Sequence, residues 1–252
     1  MTYLQFHCLF NLPLLAVLVW LNPAWTQHEA LMLALVLAIV VIFTSPWDNA
    51  AAAWGIWGFP PGKYSGKIGW LPVEEYAFFV LQSVNVILAA RVWLHLAPAW
   101  RTATLTDPGA KAPGVTVDLT QAAVCGSIMA LWIGAGLWIW RAHAAGRIPR
   151  RWNYALHLFY WFGPVLALQW VVAPQLLGAH FVLLLLLTAI FGTYYTISDV
   201  IAVHGGTWHF DEAQITGWKL RGILPWEEIA FFFLTSLLIA QSYLLFAPAW
   251  AR

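Results

Sequence analysis

Eleven acidic residues are spread over 252 positions, and four of them fall in two copies of one element. Glu74 and Glu75 stand in LPVEEYAFF, and Glu227 and Glu228 in LPWEEIAFFF. Positioned carboxyls do general acid–base chemistry, in which one group delivers a proton and another removes one. Pro72 and Pro225 suit helix starts, because the missing N–H is an orphan there anyway. The glutamates then fall in a first turn, beside free backbone N–H groups and the positive dipole end. The plain reading is a helix-start acid facing headgroup water. Recurrence in both halves, beside Phe78, Phe79, Phe231, Phe232 and Phe233, favours function, because acids at membrane depth are costly. Adjacent helical residues point about 100° apart, so one glutamate of each pair is expected to face the interior while its neighbour serves the loop. Asp48 in TSPWDN and Asp199 in TISDV form a second recurring pair, each expected just beyond the end of a helix. An Asp suits a turn there equally well.

Eighteen tryptophans accompany these acids. Trp25, Trp100 and Trp250 fit an interfacial belt. Trp47, Trp54, Trp57, Trp70, Trp208, Trp218 and Trp226 crowd the two stretches that carry the acids, where aromatic faces can stabilise a cation.

The elements that must position these residues are membrane helices. The chain is 62% hydrophobic and 9% charged, against roughly 45–50% and about 25% in a soluble domain. Apolar stretches long enough to cross a bilayer fall near 4–21, 29–45, 73–94, 119–140, 154–173, 177–197 and 226–246. Pro13 and Pro164, like Asp48 and Asp199, are 151 positions apart, and the two Glu-Glu elements are 153 apart. The halves are therefore repeats, with a two-residue insertion in the second loop. The expected fold is all-α: seven transmembrane helices arranged as two parallel three-helix repeats, 1–100 and 151–252, joined by 101–150 with one linker helix. Three helices plus one return the chain to its starting side, so both Glu-Glu elements share one membrane face. That face holds Lys63, Lys67, Arg141, Arg147, Arg150, Arg151, Lys219 and Arg221, against Arg91, Arg101, Lys111 and Arg252 opposite. The imbalance favours a cytoplasmic motif face on a multi-pass cell-membrane protein.

Several classes are disfavoured. A net charge of +1 without a basic stripe gives nucleic acid no footprint. No Gly-x-Gly-x-x-Gly follows a strand, no Asp-rich diphosphate motif is present, and the scattered histidines form no metal pattern. Cys8 and Cys125 read as small buried hydrophobes. The four lysines all lie in loops, which excludes a retinal-type photoreceptor. A 3+1+3 small-solute transporter is the rival from another class, but the polar groups gather at one end beside aromatics rather than at mid-membrane.

SPWDN, WGIWGFP and the doubled Pro-x-Glu-Glu followed by Phe resemble the small integral-membrane lycopene cyclases, over essentially the whole chain in their fused, two-repeat form. The resemblance implies redox-neutral closure of the acyclic ends of lycopene into β-rings through a carbocation, with no cofactor and no metal. Glu74, Glu75, Glu227, Glu228 and Asp48 are the implied catalytic set. Trp47, Trp54, Trp57, Phe78, Phe79, Trp226, Phe231 and Phe232 are the implied substrate-binding set. TISDV departs from TSPWD, so Asp199 is a weaker counterpart of Asp48. Longer-chain carotenoids or another ring type remain the nearest alternative, and oligomeric state is left open.

Overall fold

The computed structural model describes residues 1–96 and 117–250, with side chains through residue 246. Trp100, Arg101, Lys111, Trp250 and Arg252, together with the expected boundary near residue 100, fall outside what is described at side-chain level. Among the described residues, seven helices are long and apolar enough to cross a membrane. They are α1 (Tyr3–Leu21), α2 (Gln27–Ala53), α3 (Val73–Leu96), α4 (Leu119–Ala144), α5 (Asn153–Val172), α6 (Phe181–His204) and α7 (Trp226–Trp250).

Local chemistry explains where these helices begin. Thr2, Thr26 and Asp118 are N-caps whose side chains accept from the N–H three residues on, while Gln5, Glu29 and Gln121 reach back in capping boxes. Pro72 and Pro225 end short strands immediately before α3 and α7. In α1, the turn His7–Asn11 is π-helical just ahead of Pro13, whose missing N–H disturbs the regular ladder.

Two boundaries differ from the sequence expectation. α2 runs through Pro46 to Ala53, and α6 runs to His204, so Asp48 and Asp199 are helical rather than beyond a helix end. The polar residues of these last turns point inward, where Thr44, Trp47, Asp48, Ser198 and Asp199 are buried. Inward polarity looks like a helix end in a hydropathy reading. Cys8 is exposed and Cys125 partly so, each on an outer helix face, so neither is the buried hydrophobe expected.

α3 and α7 form the core of the bundle. α7 packs against α6, α5, α3 and α2, and α3 packs against α1, α2, α7 and α6. α4 stands apart against α5, with none of its most apolar stretch buried. Several polar groups inside the bundle pair with one another, as a medium without water favours. Gln82 donates to Thr235 at 3.0 Å. Asn85 donates to Tyr195 (3.2 Å), whose hydroxyl donates to Asn11 (3.1 Å). At the end away from the acidic elements, Arg91 meets Glu29 at 3.0 Å and lies 3.8 Å over the Trp25 ring.

Two loops close the other end. β1 (Trp57–Gly58) pairs antiparallel with β4 (His209–Phe210), joining the loop after α2 to the loop after α6. Gly58 faces His209 so closely that a Cβ there would lie 2.9 Å from the imidazole. β2 (Lys67–Ile68) and β3 (Leu71–Pro72) form a hairpin, as do β5 (Lys219–Leu220) and β6 (Leu224–Pro225). The first hairpin turns through Gly69 and Trp70, the second through Arg221, Gly222 and Ile223, so part of the expected insertion lies in this turn.

Candidate active site

The hairpins decide which glutamate of each pair faces inward. Glu74 Oε1 accepts the Ser65 N–H at 2.8 Å, and Glu227 Oε1 accepts the Thr216 N–H at 2.7 Å. Both side chains are buried against loop backbone. One residue later on α3 and α7, Glu75 and Glu228 project into a chamber at the closed end of the bundle.

The last turns of α2 and α6 and the first turns of α1, α3, α5 and α7 converge on this chamber, whose empty volume is about 470 Å³. Its fifteen lining residues are four carboxyls (Asp48, Glu75, Asp199 and Glu228) and eleven aromatics. No lysine, arginine or histidine is among them. Phe6, Phe78, Phe231, Phe232, Trp47 and Trp57 form much of the wall, with Phe59, Phe210 and Trp208 toward the loops.

Each carboxyl has an identifiable neighbour. Tyr3 donates its hydroxyl to Glu75 at 2.8 Å, and Tyr154 donates to Glu228. The Trp57 indole donates to Asp48 at 3.1 Å. Asp48 and Glu75 both line the chamber. Asp199 is fully buried, and the Trp208 indole faces it outside good hydrogen-bond geometry. In the loop above, Asp211 accepts from the Ala213 N–H and the Gln214 amide, which holds its carboxyl below the usual range.

The structure therefore brings Asp48, Asp199, Glu75, Glu228, Trp47, Trp57, Phe78, Phe231 and Phe232 together, and turns other expected site residues away. Glu74 and Glu227 hold the hairpins. Phe79 packs edge-on against Tyr76. Trp226 bonds Thr216 and stacks on Phe159. Trp54 is 64% exposed. The sequence reading missed Tyr3, Phe6 and Tyr154, as well as Phe59, Phe210 and the place of Trp208 in the wall. The 151-residue offset relates Tyr3 to Tyr154, Trp57 to Trp208 and Phe59 to Phe210, and would have found those pairs.

What the arrangement can do is protonate and deprotonate an apolar substrate in a dry site and shelter a cation between the two steps. Carboxyls supply the proton chemistry, and aromatic faces attract positive charge without capturing it covalently. Among the described residues, no group of three or more metal-type ligands could hold an ion.

Fold and site together define a seven-helix membrane protein with an acidic, aromatic-walled chamber at one end. The lycopene cyclase family model matches residues 1–93 and 150–246, and the chain belongs to that family. It is 29% identical over 248 residues to the lycopene beta-cyclase of Halobacterium salinarum, covering 95% of this chain and 93% of that protein. It is 27% identical to the bifunctional lycopene cyclase/phytoene synthase of Blakeslea trispora, covering 92% of this chain and 36% of the fungal one. The corresponding protein of Pyrenophora tritici-repentis is 29% identical, over 99% of this chain and 42% of its own. No solved structure matches.

Proposed function

We propose that this chain is a lycopene cyclase, an intramolecular lyase or isomerase that closes the acyclic ends of lycopene, or of a related acyclic carotenoid, into β-rings. The observation that carries the reading is the lining of the chamber by four carboxyls and eleven aromatics, with no cationic residue. A carboxylic acid protonates the terminal double bond and leaves a tertiary cation. The next double bond along the chain attacks it, closes a six-membered ring and leaves a new tertiary cation within the ring. A carboxylate then removes a neighbouring proton. One proton enters and one leaves, so no oxidant, reductant or cofactor is consumed.

The two pairs of carboxyls are not equivalent, and a division of labour follows. Asp48, held by the Trp57 indole, and Glu75, held by the Tyr3 hydroxyl, form the donor pair. Glu228, with Asp199 beside it, is the acceptor. The aromatic walls stabilise the cation and exclude the water that would quench it as an alcohol. Expression in lycopene-accumulating cells, followed by pigment separation, tests the reading. Cyclic product is expected from the parent chain and a loss of about 10²–10⁴-fold from Glu75→Gln or Glu228→Gln, the range of general acid–base catalysis. Unchanged lycopene with the correctly inserted parent would overturn it.

The arrangement as two parallel three-helix repeats is part of the proposal. Equivalent backbone bonds support it: Tyr3 N to Lys63 O at 2.7 Å, and Tyr154 N to Gln214 O at 3.1 Å, each partner 151 positions from its counterpart. Gly58 and His209, themselves 151 positions apart, pair with each other, as residues beside a two-fold axis would. The family match spans both three-helix units and omits 94–149, which suits α4 as a linker helix. The Lys and Arg imbalance supports a cytoplasmic chamber end on a cell-membrane protein. In a chain with Cys8 and Cys125 replaced by Ser, a Gly62→Cys variant should react with an impermeant thiol reagent only after cells are opened. Labelling in intact cells would reverse the orientation.

A further inference from the structure

A second cavity lies against the chamber on its α5 side. It is a groove between α2, α4 and α5 with an empty volume of about 1330 Å³. Ala50 and Trp54 of α2, Ile139 and Trp140 of α4, and Leu156 and Tyr160 of α5 are among the residues that line it, and its lining is predominantly apolar. Trp47 lines both cavities. Its indole is sandwiched between the His157 ring on the groove side (5.2 Å between centroids, 8° between planes) and Phe231 on the chamber side (5.3 Å, 10°). A reciprocal pair of hydrogen bonds holds this partition: Trp47 Nε1 donates to the His157 carbonyl at 3.2 Å, and His157 Nε2 lies 2.8 Å from the Trp47 carbonyl.

We propose that this groove is the lateral entrance and cradle for the acyclic polyene, and that the Trp47–His157 pair is the partition its end must pass. The inference rests on the cyclase reading and deepens it. An acyclic C40-type hydrocarbon is dissolved in the bilayer, so its route to the carboxyls starts from lipid rather than from water. α4 stands outside the main bundle, so the outer wall of the groove is a single helix long and apolar enough to cross a membrane. From Asn153 to Trp161 the groove follows nine residues of α5, eight rises of about 1.5 Å or about 12 Å in all. That length holds the part of the polyene next to the reacting end and leaves the remainder in lipid. Tryptophan and tyrosine faces suit a flat conjugated chain, and the shared Trp47 is a wall common to groove and chamber.

The path is one-sided. At the 151-residue offset the counterparts of Trp47 and Ala50 are Ser198 and Ile201, and the counterpart of His157 is Phe6, which is 1% exposed. The stacked partition is therefore built on the α2–α5 side only.

The test uses the full chain with Glu75→Gln added to stop turnover, purified in mild detergent from lycopene-accumulating cells. Retained lycopene is read from its absorbance per protein. Ala50→Trp and Ile139→Trp fill the groove from two different helices without touching the chamber lining, and each is expected to lower retention about tenfold. Ile201→Trp, on the exposed face of α6, is expected to leave retention within about twofold. The same three substitutions without Glu75→Gln should lower or preserve cyclisation in the same order. Retention unchanged by both groove substitutions, or absent from the Glu75→Gln protein itself, would overturn the entrance. Failure of the parent chain to cyclise would count against the activity, and retention would still decide the groove.

Discussion

A single step along the chain separates two different jobs for glutamate. Glu74 and Glu227 accept backbone N–H groups from the hairpin loops, whereas Glu75 and Glu228 meet tyrosine hydroxyls inside the chamber. Glu74→Ala removes the acceptor for a buried N–H, so the protein is expected to lose about 1.5–3 kcal/mol, the usual worth of a bond to a charged group. Its turnover per folded molecule should stay within a few-fold of the parent, and Glu227→Ala should behave alike. Thermal unfolding in detergent, set beside product formed per folded protein, checks both halves of this expectation. A collapse in turnover with stability intact would move Glu74 into the chemistry. The sequence alone showed that adjacent glutamates must diverge in direction, because helical geometry demands it. It could not say which one turns inward, since that depends on where the Ser65 and Thr216 N–H groups lie. Tyr3 and Tyr154 were hidden for a different reason. A tyrosine near a helix end reads as part of an interfacial belt, and only the repeat register, carried through every position, reveals that the two are partners.

At the scale of elements, hydropathy found all seven spans but misjudged two of their ends. Asp48 and Asp199 lie in the last turns of α2 and α6, where polarity signals a buried site rather than the onset of a loop. The helices have a fixed point at the opposite end of the bundle as well. Arg91, on α3, is buried, and Glu29, on α2, is its partner. Breaking a buried pair by removing one charge is strongly destabilising, because the other is stranded. Glu29→Gln is expected to lower stability by about 3–5 kcal/mol, while Glu29→Gln with Arg91→Met recovers most of the loss. Unfolding of the three proteins in one detergent reads this directly, and equal losses for the single and double variants would mean that the pair contributes by attraction alone. Gly58 gives a second expectation at this scale. Its Cβ would meet the outer atoms of the exposed His209 ring at 2.9 Å, so Gly58→Val should turn that imidazole out of its place and partly separate β1 from β4. Faster hydrogen exchange at Asp211, whose N–H bonds Ile56, would report that separation.

For the molecule as a whole, the proposed two-fold relation and the one-sided entrance have opposite consequences. A symmetric pair of sites fed from both flanks could close both ends of a polyene in one encounter. One groove on the α2–α5 flank feeding one chamber, as proposed, would admit one end at a time. On the proposed cyclase reading, the polyene must withdraw into the bilayer after its first ring forms and return with its other end leading. A monocyclic carotenoid is therefore expected to appear first and leave the protein, with the bicyclic product following after a lag. With limiting protein in lycopene-loaded vesicles, a pulse of labelled lycopene followed by an excess of unlabelled lycopene separates the two cases. Withdrawal and return let the chase compete, so label should accumulate in the monocyclic pigment and reach the bicyclic one slowly. Bicyclic label that appears at once and ignores the chase would require both ends to be served without release, which the α2–α5 groove does not allow.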